Sequence, residues 1–154
     1  MSRRVETMEN QAGNQETQEN RKRPVVDLPD KELTDKILAA AIRVHRELGP
    51  GYLESIYEEA MCVELVAMGL AFERQKSVEV QYRNQVVGHH RLDLLVESKV
   101  VVELKAVKDF EPIHYSVVRS YLKATGLATG LLLNFHSVPL AIKRVGCEYR
   151  NSAP

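Results

Sequence analysis

The sequence predicts an α/β protein of the α+β kind, a central mixed sheet of about five strands flanked by helices, with a helix pair on its N-terminal side. Three observations predict it. Apolar residues recur at helical spacing from Leu33 to Met68, and the period changes to two around Val78. A helical stretch opened by Pro112 is then followed by two further apolar runs.

The elements follow in order. Leu33, Ile37, Ala41, Val44 and Leu48 mark a first helix, with Asp30 or Thr34 as its cap and Gly49-Pro50-Gly51 as its stop. A second helix runs from about Leu53 to Met68 with the stripe Ile56, Ala60, Val63 and Ala67, and Gly69 ends it. The two form a hairpin or an angled pair. Val78, Val80 and Tyr82 alternate with Ser77, Glu79 and Gln81, as in a strand with one wet face. Val86 to Val96 and Lys99 to Val107 read as two more strands, the second so apolar that both its faces are expected to be buried. Pro112 suits the first turn of a third helix carrying Ile113, Val117, Val118, Tyr121 and Leu122, closed by Gly126. The runs "GLLLNF" and "AIKRV" supply the last two strands.

With 154 residues, 44% of them hydrophobic, the chain suffices for one cored domain, placed at residues 27–150. Residues 1–26 are poor in large apolar side chains and are expected to be a disordered tail, with 151–154 a flexible C-terminus. The basic cluster Arg21, Lys22 and Arg23 in that tail reads as solubilising or as a contact for a polyanion. The 21 basic and 21 acidic residues cancel, so binding to phosphate has to come from a local patch and not from a global field. Cys62 and Cys147 match no metal spacing, and neither a signal peptide nor a long apolar span is visible. The expectation is a cytoplasmic protein with no membrane partner.

Within "RLDLLVESKVVVELKA", Arg91 to Ala106, three charges interrupt a run of leucine and valine: Asp93, Glu103 and Lys105. If Glu97, Ser98 and Lys99 form a three-residue turn, Val96 faces Val100 and Asp93 falls opposite Glu103, with side chains about 5 Å apart on one face. A two-residue turn would put them out of line. Glu103 and Lys105, two apart on a strand, share a face in either case. Mg²⁺, or Mn²⁺ in its place, would relieve two adjacent carboxylates, since it binds a few carboxylate oxygens together with waters and a substrate phosphate. It would polarise that phosphate and lower the pKa of a bound water, which Lys105 could position or deprotonate. A salt-bridge cluster in which Lys105 neutralises the acids fits the spacing as well.

Asp93 followed by Glu103-Leu104-Lys105 in a hydrophobic strand resembles the PD-(D/E)XK nuclease superfamily. More narrowly, "HRELGPGYLESIYEEA" resembles the signature of the GxxExxY proteins, with Gly51, Glu54 and Tyr57 in the three named positions. The runs "RLDLLV", "VVVELKAV" and "PIHYSVVRSYLKATG" are similar to that family in the same order, so the resemblance extends from about Leu33 to about Val145. It implies a restriction-endonuclease-like fold and a metal-dependent phosphodiesterase centre. Asp93, Glu103 and Lys105 would then be catalytic with Glu54 assisting, and Asp93, Glu103 and Glu54 would hold the metal.

Other residues attach to this reading as supports. Tyr57 could orient Glu54 or a phosphate, or simply pack. His45 could contact a phosphate or Glu54, matching the family's "VHRELG". Lys108, with Arg119 and Lys123, could form a phosphate track. His89 and His90 read as rim residues, and His114 and Tyr121 as inner-face residues of the third helix, Tyr121 near the site. Val117 stands where many superfamily members carry a site glutamine. The expected activity is hydrolysis of DNA or RNA, for which a homodimer would be a natural assembly. A nucleic-acid-binding or partner-regulated module that keeps the fold without turnover is the alternative, and a component acting through a protein partner is a third reading.

Overall fold

The computed structural model describes residues 28–147. The expected tail at 1–26, its basic cluster and the C-terminus at 151–154 lie outside the described residues. Three helices and five strands run in the order α1 (Lys31–Leu48), α2 (Glu54–Ala67), β1 (Phe72–Tyr82), β2 (Gln85–Val96), β3 (Val100–Lys105), α3 (Pro112–Thr125), β4 (Thr129–Asn134) and β5 (Ala141–Gly146). The strands form one mixed sheet in sequential order. β1, β2 and β3 pair antiparallel, β3 and β4 pair parallel across the α3 crossover, and β5 returns antiparallel to β4. This is the five-strand architecture expected of a restriction-endonuclease-like core.

Each face of the sheet carries its own core. On one, Ile37, Ala41 and Val44 of α1 and Tyr57, Met61 and Leu65 of α2 meet Val100, Val102, Leu104, Leu131 and Leu133. On the other, Val118, Tyr121 and Leu122 of α3 meet Leu92, Leu95, Val101 and Leu132. α3 lies close against β4 because Gly130 has no side chain there: a Cβ at that position would come within 2.6 Å of Val118 Cγ1. Strand β3 is buried on both faces along its apolar length, as its composition implies.

The helix starts differ from expectation. Asp30 occupies the α1 cap position, but its carboxylate accepts from Thr129 Oγ1 at 3.0 Å and makes no cap bond, while Thr34 Oγ1 donates to the Lys31 carbonyl. Arg144 of β5 holds the same corner, donating to Thr34 Oγ1 and to the Pro29 carbonyl. On α2 the stripe Ile56, Ala60, Val63 and Ala67 is not the buried one: Val63 is 68% exposed and the core takes Tyr57, Met61, Cys62 and Leu65. α2 is apolar on several sides, so periodicity does not choose its face. Tyr57 does, because its ring stacks on Phe135 with centroids 4.5 Å apart.

Candidate active site

The site forms where the sheet opens. The β2–β3 connection is the three-residue turn Glu97, Ser98 and Lys99, with Val96 opposite Val100 and the Lys99 N–H donating to the Val96 carbonyl. Glu97 and Ser98 both take left-handed backbone, at φ 51° and 53°. The ladder continues through Leu95↔Val101 to Leu94↔Val102 and stops there. Asp93 is therefore not the ladder partner of Glu103 that its register position implies. Its carboxylate enters the opening between the strands, where Oδ2 accepts the Leu104 N–H at 2.9 Å. A side chain replaces the backbone carbonyl that would otherwise satisfy that amide.

β1 shows the matching break. Pairing with β2 passes from Arg74↔Leu94 to Lys76↔Leu92 and omits Gln75 and Asp93, which the register sets opposite each other. Gln75 adopts a left-handed φ of 47°. Side-chain alternation also breaks there, since Leu94 and Val96 pack in the α1–α2 core whereas Leu92 packs with α3.

Around this break the carboxylates gather. Glu103 lies on the α3 face of β3, only 5% exposed, with Lys105 Nζ 3.5 Å from its Oε1. Its Oε2 is buried and has no hydrogen-bond partner. Burial, reinforced by the Asp93 charge and opposed by Lys105, pushes the Glu103 carboxyl up to about 8. Asp93 is also raised, chiefly by burial; the Leu104 N–H works against that and the Glu58 charge adds to it. Glu54, the first residue of α2, accepts the Ala106 N–H through Oε1 at 3.2 Å, and its charge is felt at Glu103. Tyr121 of α3 is raised to about 12 by burial and by the Glu103 and Asp93 charges, which keeps its hydroxyl protonated.

The structure thus brings Asp93, Glu103, Lys105, Glu54 and Tyr121 into one region and leaves other candidates outside it. Tyr57 orients no acid: its hydroxyl donates to the Gly49 carbonyl at 2.7 Å and accepts the Tyr52 N–H at 3.2 Å, closing the α1–α2 turn. His45 makes no contact with Glu54, because its Nε2 is engaged with the Ser137 carbonyl at 2.8 Å. Both were legible only as polar groups beside an apolar stripe, and the loops that satisfy them are remote or irregular. Lys108 is exposed in the β3–α3 loop beside Asp109, Glu111 and His114, around a cavity of about 230 Å³. His114 is not a core residue but accepts the Glu111 N–H at the start of α3. His90 packs edge-on against Tyr121 at 4.8 Å, while His89 is exposed.

Sequence reasoning missed Glu58, Arg74 and Gln75. Glu58 is 7% exposed, one turn along α2 from Glu54, and accepts from Arg74 Nε at 3.1 Å and Gln75 Nε2 at 2.7 Å. The i,i+4 spacing of Glu54 and Glu58 was the available signal. The backbone of Gln75 left none.

The donor set bears on a metal. Among the described residues no group of three or more His, Cys, Asp or Glu side chains is arranged to hold a metal ion. Backbone amides of β3 and its following loop donate to one oxygen each of Asp93 and Glu54. Two neighbouring carboxylates, one with an orphaned buried oxygen, nevertheless suit a hard divalent cation, which binds through one or two carboxylates and keeps its waters.

Of three comparisons with known proteins, one identifies the family. No curated protein matches the chain. The crystal structure of SSO0001 is similar at 16% identity and a TM-score of 0.47; the match covers 76% of this chain and spans 59% of the length of that one. A family model described as the PD-(D/E)XK nuclease superfamily matches residues 31–145, which takes in all three helices and, but for the last residue of β5, all five strands. Because that span carries Asp93 and the Glu103-Leu104-Lys105 strand in order, the chain belongs to the PD-(D/E)XK nuclease superfamily.

Proposed function

We propose that the protein is a divalent-cation-dependent nuclease that hydrolyses phosphodiester bonds of DNA or RNA through Asp93, Glu103 and Lys105, with Glu54 assisting. The observation that carries this reading is Glu103, a carboxylate buried beside Asp93 with Oε2 lacking any partner. A buried acid in that state is unfavourable to the apo fold and has a use once a cation arrives. Asp93 and Glu103 would hold Mg²⁺ or Mn²⁺, with Glu54 at the margin. The cation would supply neutralisation of phosphate charge and a lowered pKa for water.

The chain's own groups do the rest. The Leu104 N–H fixes one oxygen of Asp93 and so orients the other. Lys105, 22% exposed in its side chain and beside Glu103, reaches solvent where a phosphate would approach and can hold a water or steady charge developing on phosphate oxygens. The protonated hydroxyl of Tyr121 offers a further donor on the α3 side.

Within the superfamily we read the chain as a GxxExxY protein. Gly51, at φ 111°, turns the α1–α2 connection, Glu54 accepts the Ala106 N–H just after β3, and Tyr57 ties that turn together. We further infer a reducing, cytoplasmic setting, supported by the free thiols of Cys62 and Cys147, and we retain a homodimer as the assembly to look for. Among the described residues no helix is long and apolar enough to cross a membrane.

One observation favours a second reading, a binding module without turnover: Val117 occupies the α3 position where a site glutamine is common, which removes one polar contact. The test is a screen of single- and double-stranded DNA and RNA with Mg²⁺ or Mn²⁺, run beside Asp93→Asn. Metal-dependent cleavage by the native chain and none by the variant is the expected outcome. Binding that survives chelation with no product in any metal would instead establish the module.

A further inference from the structure

Resting on the proposed cation site, we infer that Gln75 is a positioning residue that holds the Asp93 carboxylate in its ligating orientation by bridging it to the buried Glu58. The bridge uses the amide nitrogen twice. Gln75 Nε2 donates to Glu58 Oε2 at 2.7 Å and to Asp93 Oδ1 at 3.3 Å. A carboxamide nitrogen carries two hydrogens and a carboxylate carries none, so a primary amide is the side-chain end that can donate to two acids while adding no charge. Lysine or arginine there would neutralise the acids, and an acid would repel them.

Each end of the bridge is anchored. Glu58 is held by Arg74 Nε at 3.1 Å, and Arg74 is held in turn by Glu59 at 2.7 Å. Asp93 has its other oxygen on the Leu104 N–H. With one donor on each oxygen, both rotation and tilt of the Asp93 carboxylate are fixed, and each oxygen keeps a lone pair for a cation. Partners that orient a metal-binding carboxylate in this way commonly contribute 10–100-fold to metal affinity.

The backbone supports a functional role over a merely structural one. Gln75 lies in the left-handed region, where a side chain other than glycine or asparagine is disfavoured, and it is exposed, so packing does not require it. Glycine would suit that conformation better than glutamine does. Strain kept at an exposed position directly opposite Asp93 is accounted for by the amide it delivers.

That mismatch makes stability and cation binding separable. Mn²⁺ alone is titrated by calorimetry into the full chain and into Asp93→Asn, Gln75→Gly and Gln75→Asn, with the melting temperature of each recorded. The native chain is expected to bind and Asp93→Asn to lose binding. Gln75→Gly is expected to bind at least about tenfold more weakly at an equal or higher melting temperature. Gln75→Asn, which tolerates the same backbone but is one methylene too short to span both acids, should weaken binding similarly, and it carries the test if the glycine variant unfolds. Native affinity in both Gln75 variants, with binding still lost in Asp93→Asn, would overturn the positioning role and leave the cation site standing. No Mn²⁺ binding by the native chain would overturn both.

Discussion

The two ends of the β2–β3 hairpin are built from the same kind of sequence and behave oppositely. At the turn end, Leu94, Leu95 and Val96 pair with Val102, Val101 and Val100, and all six are essentially buried. At the open end, one residue further on, pairing stops and Asp93, Glu103 and Lys105 stand where the next rungs would be. The difference teaches where a sheet can keep charge. A continuous ladder satisfies every backbone amide and leaves only apolar faces to bury; once the strands part, a carboxylate can satisfy a freed amide and still turn its other oxygen to a ligand.

The largest effect expected from breaking this contrast is on chemistry. Asp93→Asn and Lys105→Ala should each lower oligonucleotide cleavage by on the order of 10²–10³-fold or more with little change in melting temperature. Asparagine can still accept the Leu104 N–H, so the opening persists without the charge. Collapse of either variant in a thermal melt would show that the charges serve the fold. At the turn end the converse holds. Leu94→Ala, from a fully buried position, should cost about 2–5 kcal/mol in urea unfolding while Mn²⁺ affinity stays native.

Glu103 sharpens the comparison through pH. Its carboxyl is pushed up to about 8 in the fold from an ordinary value of 4.5, so the folded state binds a proton there that the unfolded state has released. The stability tied to that proton is fully present below about pH 4.5 and lost as pH rises through about 8. Glu103→Gln should therefore flatten the alkaline decline in apo stability, measured as urea midpoints from about pH 5 to 9. A decline equally steep in the variant would contradict the buried, repelled state of this acid. The smallest effect lies far from the opening. Tyr57→Phe keeps the stack on Phe135 and loses the bond to the Gly49 carbonyl, at a cost of about 1 kcal/mol, with cleavage unchanged. A large loss of cleavage at unchanged stability would return Tyr57 to the site.

Much of this was legible in the sequence for identifiable reasons. Period and punctuation marked all eight elements, and Phe72 to Lys76 of β1 were missed because Glu73 to Lys76 have no apolar alternation. The turn at Glu97 to Lys99 was one of two lengths the sequence allowed, and the pairing of Val96 with Val100 selects the three-residue one. Asp93, Glu103 and Lys105 stood out as charges in an apolar run. Glu58 did not, since an acid on a helix ordinarily faces water; its burial depends on Arg74 and Gln75 from a strand that follows in the chain.

The sequence by itself determined the order of elements, the doubly buried β3 strand and the identity of the charged residues, because periodicity and composition are local properties of the chain. The tertiary structure decided which face α2 buries, that the hairpin opens at Asp93, and that Gln75 crosses from β1 to bridge Asp93 and Glu58. Those outcomes depend on aromatic stacking, strand divergence and long-range hydrogen bonds. Each of these is set by residues distant in sequence that meet only when the sheet is assembled.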